Sequence, residues 1–166
     1  MKLWGLALGI FLFLIFSIQN VVNSETTQHT VIINDADECA KSTITGTNYG
    51  VYSSDTRTCT LTSDLTEGTE IGVDDITLDC DGHVVTGDGS SNGILVQNKE
   101  NITVKNCVVH NFYNGIQFSS TTQSSLINNT VKNNFNDGFH LENSNYNTLE
   151  FNIAENNQRF CTCFII

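Results

Sequence analysis

Asparagine recurs on a fixed interval through the second half of this chain. Seventeen of the 66 residues from Asn92 to Asn157 are asparagine. Asn106, Asn129 and Asn152 are spaced by 23 and 23, and Asn111, Asn134 and Asn157 by the same steps. An Asx-Gly pair keeps nearly the same beat, at Asn92-Gly93, Asn114-Gly115 and Asp137-Gly138. A period of about 20–25 residues marks a chain that stacks one small unit, because such a unit buries its apolar face only against its neighbours. A stacked scaffold constrains architecture far more than activity.

Within each repeat lie short runs in which apolar and polar side chains alternate, the pattern of half-buried strands. Ile94, Ile116 and Phe139 share one inward register, Val96, Phe118 and Leu141 the next, and Val108, Val131 and Ala154 a third. Leu95, Gln117 and His140 fall between them and are expected to face out. The segment at Ile76 matches that at Ile102 with an offset of 26, the extra residues being placed in the Gly87–Asn92 turn. No stretch sustains a helical period, and a hairpin sandwich does not explain matched columns of like residues. The fold class expected is all-β: a right-handed parallel β-helix, a single-stranded solenoid with coils of about 22–23 residues. Equivalent residues then stack about 4.8 Å apart. Asparagines 106, 129 and 152, and 111, 134 and 157, are expected to form amide ladders inside the turns. Gly93, Gly115 and Gly138 are expected to admit the tight corner before a strand.

The segments ahead of the repeats read differently. Lys2, the apolar run Leu3 to Ile18 and the small residues before Ser24 read as a signal peptide, residues 1–24. The rival is an uncleaved anchor, although 16 apolar residues fall short of the ~20 needed to span a bilayer. Residues 25–58 read as a lead-in that caps the bare strand edge, 59–157 as the β-helix, and 158–166 as an irregular tail. That tail is expected to be a truncated or frame-shifted end, or a degenerate cap. The net charge is −11, and residues 25–91 hold 13 acids against Lys41 and Arg57. Such a surface repels phosphate backbones, which argues against nucleic-acid partners. Six cysteines in an exported chain suggest disulfides. Cys39 with Cys59 is the natural local pair, and Cys80 with Cys107 would bridge adjacent coils, though six cysteines leave 15 connectivities open.

The phrase Asp75-Ile-Thr-Leu-Asp-Cys-Asp-Gly-His-Val-Val-Thr-Gly, followed by Gly93-Ile and Asn101-Ile-Thr-Val-Lys-Asn-Cys, resembles the right-handed parallel β-helix proteins of the NosD and pectin-lyase-like group. The resemblance covers about residues 59–157. It implies the fold and a secreted or cell-surface location. The group includes polysaccharide lyases and hydrolases, a copper-delivery factor and surface repeat proteins, so the resemblance selects no activity. Members usually have more coils than this chain.

Candidate chemistry is sparse. Asp79 and Asp81, at i and i+2, are the candidate catalytic acids, since paired carboxylates on one face do acid–base work on sugars or hold Ca²⁺. The column expected through Asp79 runs to Lys105, Asn128 and Phe151, which offers no second acid. Calcium is the one cofactor considered, without a calcium-loop motif behind it. No two histidines share a column, with His110 matched to Asn133 and Asn156, so no metal site is expected. Tyr113 and Tyr146 lie in loops and are candidates to stack on sugar rings. Phe112 and Phe135 share a 23-residue spacing and are expected in the core. Asn101-Ile-Thr103 and Asn128-Asn-Thr130 match the glycosylation sequon, Asn101 being the more accessible and Asn128 partly buried beside the ladder. The reading is a secreted or surface-attached module with a structural or carbohydrate-binding role, its partners polysaccharide or cell-surface components, with no membrane span once the leader is cut. The alternatives are a fragment of a polysaccharide lyase or hydrolase, and a NosD-like copper factor.

Overall fold

The computed structural model describes residues 30–34, 39–43 and 45–163, with the backbone alone at 30 and 160–163. The expected leader, residues 1–24, and His29 lie outside them. The described residues form strands and no helix. In chain order the strands are β1 (Thr30–Ile33), β2 (Lys41–Ser42), β3 (Gly50–Ser53), β4 (Thr58–Leu61), β5 (Gly68–Ile71), β6 (Thr77–Asp79), β7 (Val84–Thr86), β8 (Asn92–Gln97), β9 (Thr103–Lys105), β10 (Val108–His110), β11 (Asn114–Ser119), β12 (Ser125–Ile127), β13 (Thr130–Lys132), β14 (Asp137–Glu142), β15 (Thr148–Glu150), β16 (Ile153–Glu155) and β17 (Arg159–Cys163).

From β6 onward the coils contribute strands to each of three sheets; before that, among the described residues, sheet C is represented only by the Leu65–Val85 bridge. Sheet A runs β17-β14-β11-β8-β5-β1-β2, sheet B runs β15-β12-β9-β6-β4-β3, and sheet C runs β16-β13-β10-β7. Pairing between coils is parallel throughout. Only β2 and β3 pair antiparallel, on β1 and β4. The chain is therefore a β-solenoid of about four coils. The outer segments join it more fully than expected. β1, within the lead-in drawn at 25–58, pairs in parallel with β5 and is a rung of sheet A. β17, within the tail drawn as irregular, pairs in parallel with β14. A ladder uses backbone groups, so it continues where the turn glycine is absent.

Alternation puts every second side chain inside. On sheet A the inner columns are Val31, Thr69, Ile94, Ile116, Phe139 and Ile33, Ile71, Val96, Phe118, Leu141. Sheet B contributes Cys59, Leu78, Val104 and Leu126, while Leu149 in the same column is 40% exposed. Sheet C contributes Val85, Val109, Val131 and Ala154. Val109, not Val108, is the inward residue, and Val108 is half-buried opposite Thr130. The cause is coil length. Val109 pairs with Val131, a step of 22, whereas Ile116 pairs with Phe139, a step of 23. The beat is thus 22 residues with one added near Asp137, not a constant 23. The extra residues after Ile76 are likewise divided. Asp79 pairs with Lys105, Thr86 with His110 and Asn92 with Asn114, so two fall in the Asp81-Gly82 turn and two between Gly87 and Ser91.

The corners explain the asparagines. Left-handed backbone recurs in columns: Asn98, Ser120, Asn143; Asp75, Asn101, Gln123, Tyr146; Asn106, Asn128, Phe151; and Asn111, Asn133, Asn156. Asparagine tolerates that conformation better than most residues. The next residue in the chain turns inward, and there a second asparagine does different work. Asn129 Oδ1 accepts the Cys107 N–H at 3.1 Å, and its Nδ2 donates to Val104 O at 3.0 Å. Asn134 Oδ1 accepts the Phe112 N–H at 2.9 Å. Asn152 and Asn157 repeat this one coil on, donating to Leu126 O and Val131 O. Inward ladders therefore link Asn129 to Asn152 and Asn134 to Asn157. Asn106 and Asn111 are not in them. Each is an outer corner residue, and Asn106 belongs to an exterior ladder in which Asn128 Nδ2 donates to Asn106 Oδ1 and Asn106 Nδ2 to Asp79 Oδ1. Asn147, Ser124 and Ser144 fill the inward role at the remaining corners.

Both expected disulfides form. Cys39–Cys59 ties the segment before β2 to β4, and Cys80–Cys107 staples two adjacent coils. The glycines are needed for a reason other than the expected one. Gly93 and Gly115 are not left-handed. A Cβ on Gly93 would collide with Val109 Cγ1, and one on Gly115 with Val131 Cγ1, because sheets A and C converge there.

Candidate functional site

Sheet A carries a connected polar cluster that sequence reasoning missed. The third repeat has Asp137 where the two before have Asn92 and Asn114 ahead of glycine. The Asp137 carboxylate is fully buried. His140 Nδ1 donates to its Oδ2 at 2.7 Å, and Arg159 Nε meets its Oδ1 at 3.0 Å. A buried carboxylate is tolerated only when its oxygens are satisfied in this way. Asn136 Nδ2 also reaches Oδ2 at 3.3 Å and donates to Asn114 Oδ1 at 2.8 Å, while Asn114 Nδ2 donates to Asn92 Oδ1 and Gln117 Oε1. Arg159 Nη2 closes the network on Asn136 Oδ1 at 2.6 Å.

The arrangement fixes the histidine. With Nδ1 donating to carboxylate, the Nε2 lone pair is the free one, and no residue among those described occupies it. His140 stands in the outward column Glu70, Leu95, Gln117, His140. Chemically the site offers one oriented base beside a half-exposed guanidinium. The signal in the sequence was the Asp for Asn exchange. Its partner Arg159 lay in the segment expected to be irregular, which hid the cluster.

The acids singled out from sequence do not form a paired-carboxylate site. The Asp81 N–H donates to Asp79 Oδ1 at 3.0 Å, making a turn with Asp81 exposed at a left-handed corner. Asp79 Oδ1 also takes Asn106 Nδ2, and Oδ2 pairs with Lys105 Nζ at 3.1 Å. Burial pushes this carboxyl up, but the bonds from Asn106, Asp81 and Lys105 outweigh it and hold it below its ordinary value. Its column continues to Ile127 and Glu150, not to Asn128 and Phe151. Asp64 is lowered as well, by the Val84 N–H and then by His83.

His110 pairs with Thr86 and Lys132 rather than with the asparagines beside it. Among the described residues no group of three His, Cys, Asp or Glu could hold a metal ion. Tyr113 is 51% exposed and Tyr146 86%. Phe112 is buried, but Phe135 is 59% exposed, because the 22-residue step sets Asn134 over Phe112 and Phe135 over Tyr113. The sequon residues Asn101 and Asn128 are both exposed, their Nδ2 groups donating to Asp75 and Asn106. Asn128 was expected to be partly buried; it is an outer corner residue.

Residues 28–165 match the family described as right handed beta helix region. The chain belongs to that family. No curated protein and no solved structure matches this β-helix. The match takes in β1 and β17, in keeping with their parallel pairing. Among the described residues of the β-helix, no helix is long and apolar enough to cross a membrane.

Proposed function

We propose that this β-helix is an exported or surface-attached module that binds carbohydrate on the outside of its solenoid. The observation that carries this reading is the set of aromatic rings the core does not use: Tyr113, Phe135, Tyr146 and Phe151 stand at corners, each more than half exposed. Rings held open on a rigid scaffold offer flat faces for pyranose stacking. The two disulfides support an oxidising, extracytoplasmic location. The test is retention of the folded protein in native gels cast with soluble polysaccharides. Retardation by at least one glycan is expected, and uniform mobility in all of them would remove the reading.

A second reading, cleavage of a glycan, is favoured by one observation: the buried Asp137 that orients His140 next to Arg159. His140 Nε2 would take or give the proton in transfer at the sugar. Release of new sugar ends by the native protein, lost in His140→Gln, would establish it. A binding module would leave the glycan intact.

A further inference from the structure

We propose that the glycan-binding face is the outer edge of sheet B and that its ligand is an uncharged, extended polysaccharide lying parallel to the solenoid axis. This rests on the carbohydrate reading above and assigns it a face and a ligand class.

Five successive rungs of sheet B carry a hydroxyl at the same outward position. Thr58 pairs with Thr77, Thr77 with Thr103, Thr103 with Ser125, and Ser125 with Thr148. Their neighbours Leu78, Val104 and Leu126 point inward, so the hydroxyls point out. Parallel strands set such groups about 4.8 Å apart, and four steps give a straight row of roughly 19 Å. A sugar unit in an extended chain advances by a similar step, so one row can meet successive residues of one chain. Thr77, Thr103, Ser125 and Thr148 spend no side-chain hydrogen bond on the described residues, which leaves their hydroxyls to solvent or ligand.

A second row flanks the first. The left-handed corner Asp75, Asn101, Gln123, Tyr146 runs beside the hydroxyls, two residues earlier in each coil. A groove of about 440 Å³ lies between the rows at the lower end, lined by Arg57, Asp75, Thr77, Asn101 and Thr103. At the upper end stands Tyr146. Its φ is 58° and it is 86% exposed. A bulky residue is uncommon in that conformation, and here no burial offsets the strain. A ring placed this way fits stacking on a sugar at the end of the row.

The ligand class follows from charge. Hydroxyls and amides both donate and accept, as sugar hydroxyls do. The row holds no line of cations for a polyanion, and the whole chain carries −11. In the next outward column Asp79 and Lys105 cancel each other in their ion pair.

The experiment uses the folded protein in native gels containing hydroxyethylcellulose, dextran or polygalacturonate. Four variants are compared with the parent: Thr103→Val with Ser125→Ala, Tyr146→Ala, Tyr113→Ala, and Thr130→Val on sheet C as the control. Circular dichroism confirms the fold of each. The inference expects retention by a neutral glycan, weakened at least tenfold by the double variant and by Tyr146→Ala, and unchanged in the control. Retention by polygalacturonate alone would overturn the ligand class. Neutral-glycan retention lost in Tyr113→Ala but kept in the sheet B variants would overturn the face while leaving the carbohydrate reading in place. No retention in any gel would overturn both.

Discussion

Asn152 Oδ1 accepts two hydrogen bonds from Asn129, one from Nδ2 at 3.0 Å and one from the backbone N–H at 2.9 Å. Asn157 does the same for Asn134, at 2.8 and 2.9 Å. These inward pairs satisfy polar groups that the coil encloses. Asn129→Leu keeps the volume but strands the Cys107 N–H and removes the Nδ2 donor from the Val104 carbonyl and from Asn152 Oδ1, which keeps only the bond from the backbone N–H of residue 129. It is expected to destabilise by about 3 kcal/mol. Asn128→Ala, at the exterior of the same corner, is expected to lose only about 1 kcal/mol through the left-handed backbone. Urea unfolding of both variants checks this; equal losses would mean the ladder is assigned to the wrong column.

Thr69 lies in an inner column of sheet A, and its buried Oγ1 has no hydrogen-bond partner among the described residues. Thr69→Val removes the stranded hydroxyl at nearly constant volume. A gain of about 1 kcal/mol is expected in the urea midpoint. A loss would show that the hydroxyl has a partner in solution.

Gly115 meets sheet C too closely for any side chain. Gly115→Ala is expected to destabilise by about 2 kcal/mol or more through overpacking. Adding Val131→Ala removes the Cγ1 that the new Cβ would strike. The double variant should therefore lose less than the sum of the two single changes, a coupling that thermal unfolding of all four proteins would reveal.

Acid should weaken the Asp79 corner. Its carboxyl is held below the ordinary value of 3.8, so its contribution is fully present above that pH and is lost as pH falls through the lower folded value. The exposed Lys105 pair is worth no more than about 1 kcal/mol. Unfolding midpoints measured from pH 5 to pH 2 should fall less steeply in Asp79→Asn than in the parent. Parallel curves would remove Asp79 from the acid response.

Reduction of the disulfides lengthens the unfolded chain's freedom. The Cys80–Cys107 bridge closes 27 residues and Cys39–Cys59 closes 20. Loops of that size correspond to about 3 kcal/mol each in the chain-entropy view. Cys80→Ser with Cys107→Ser should lower the melting temperature by several degrees, and a reductant should have no further effect at that bridge.

The sequence showed the solenoid clearly because the Asx-Gly pairs fix the phase of the sheet A columns whatever the coil length. Ile94, Ile116 and Phe139 each directly follow an Asx-Gly pair, at steps of 22 and then 23. The corners were ambiguous for a physical reason. Asn128-Asn129 and Asn133-Asn134 are doublets, so either count from Asn106 or Asn111 lands on an asparagine. Only the backbone tells which is the left-handed corner and which points inward. The same one-residue uncertainty exchanged Val108 for Val109 and put exposed Phe135 in the core. The Asp137 cluster was hidden differently. Its parts come from β14 and from β17, a strand whose sequence carries none of the repeat's punctuation.

Every inward asparagine ties a corner of the coil before its own: Asn129 holds Cys107, Asn152 holds Asn129, and Asn157 holds Asn134. A lesion is therefore felt upstream of where it is made. Replacing Asn152 would loosen amides near 129 sooner than those near 152, and hydrogen exchange would report the damage one turn away from the mutation. For this chain, a map of sensitive positions and a map of protected amides will be offset by one repeat.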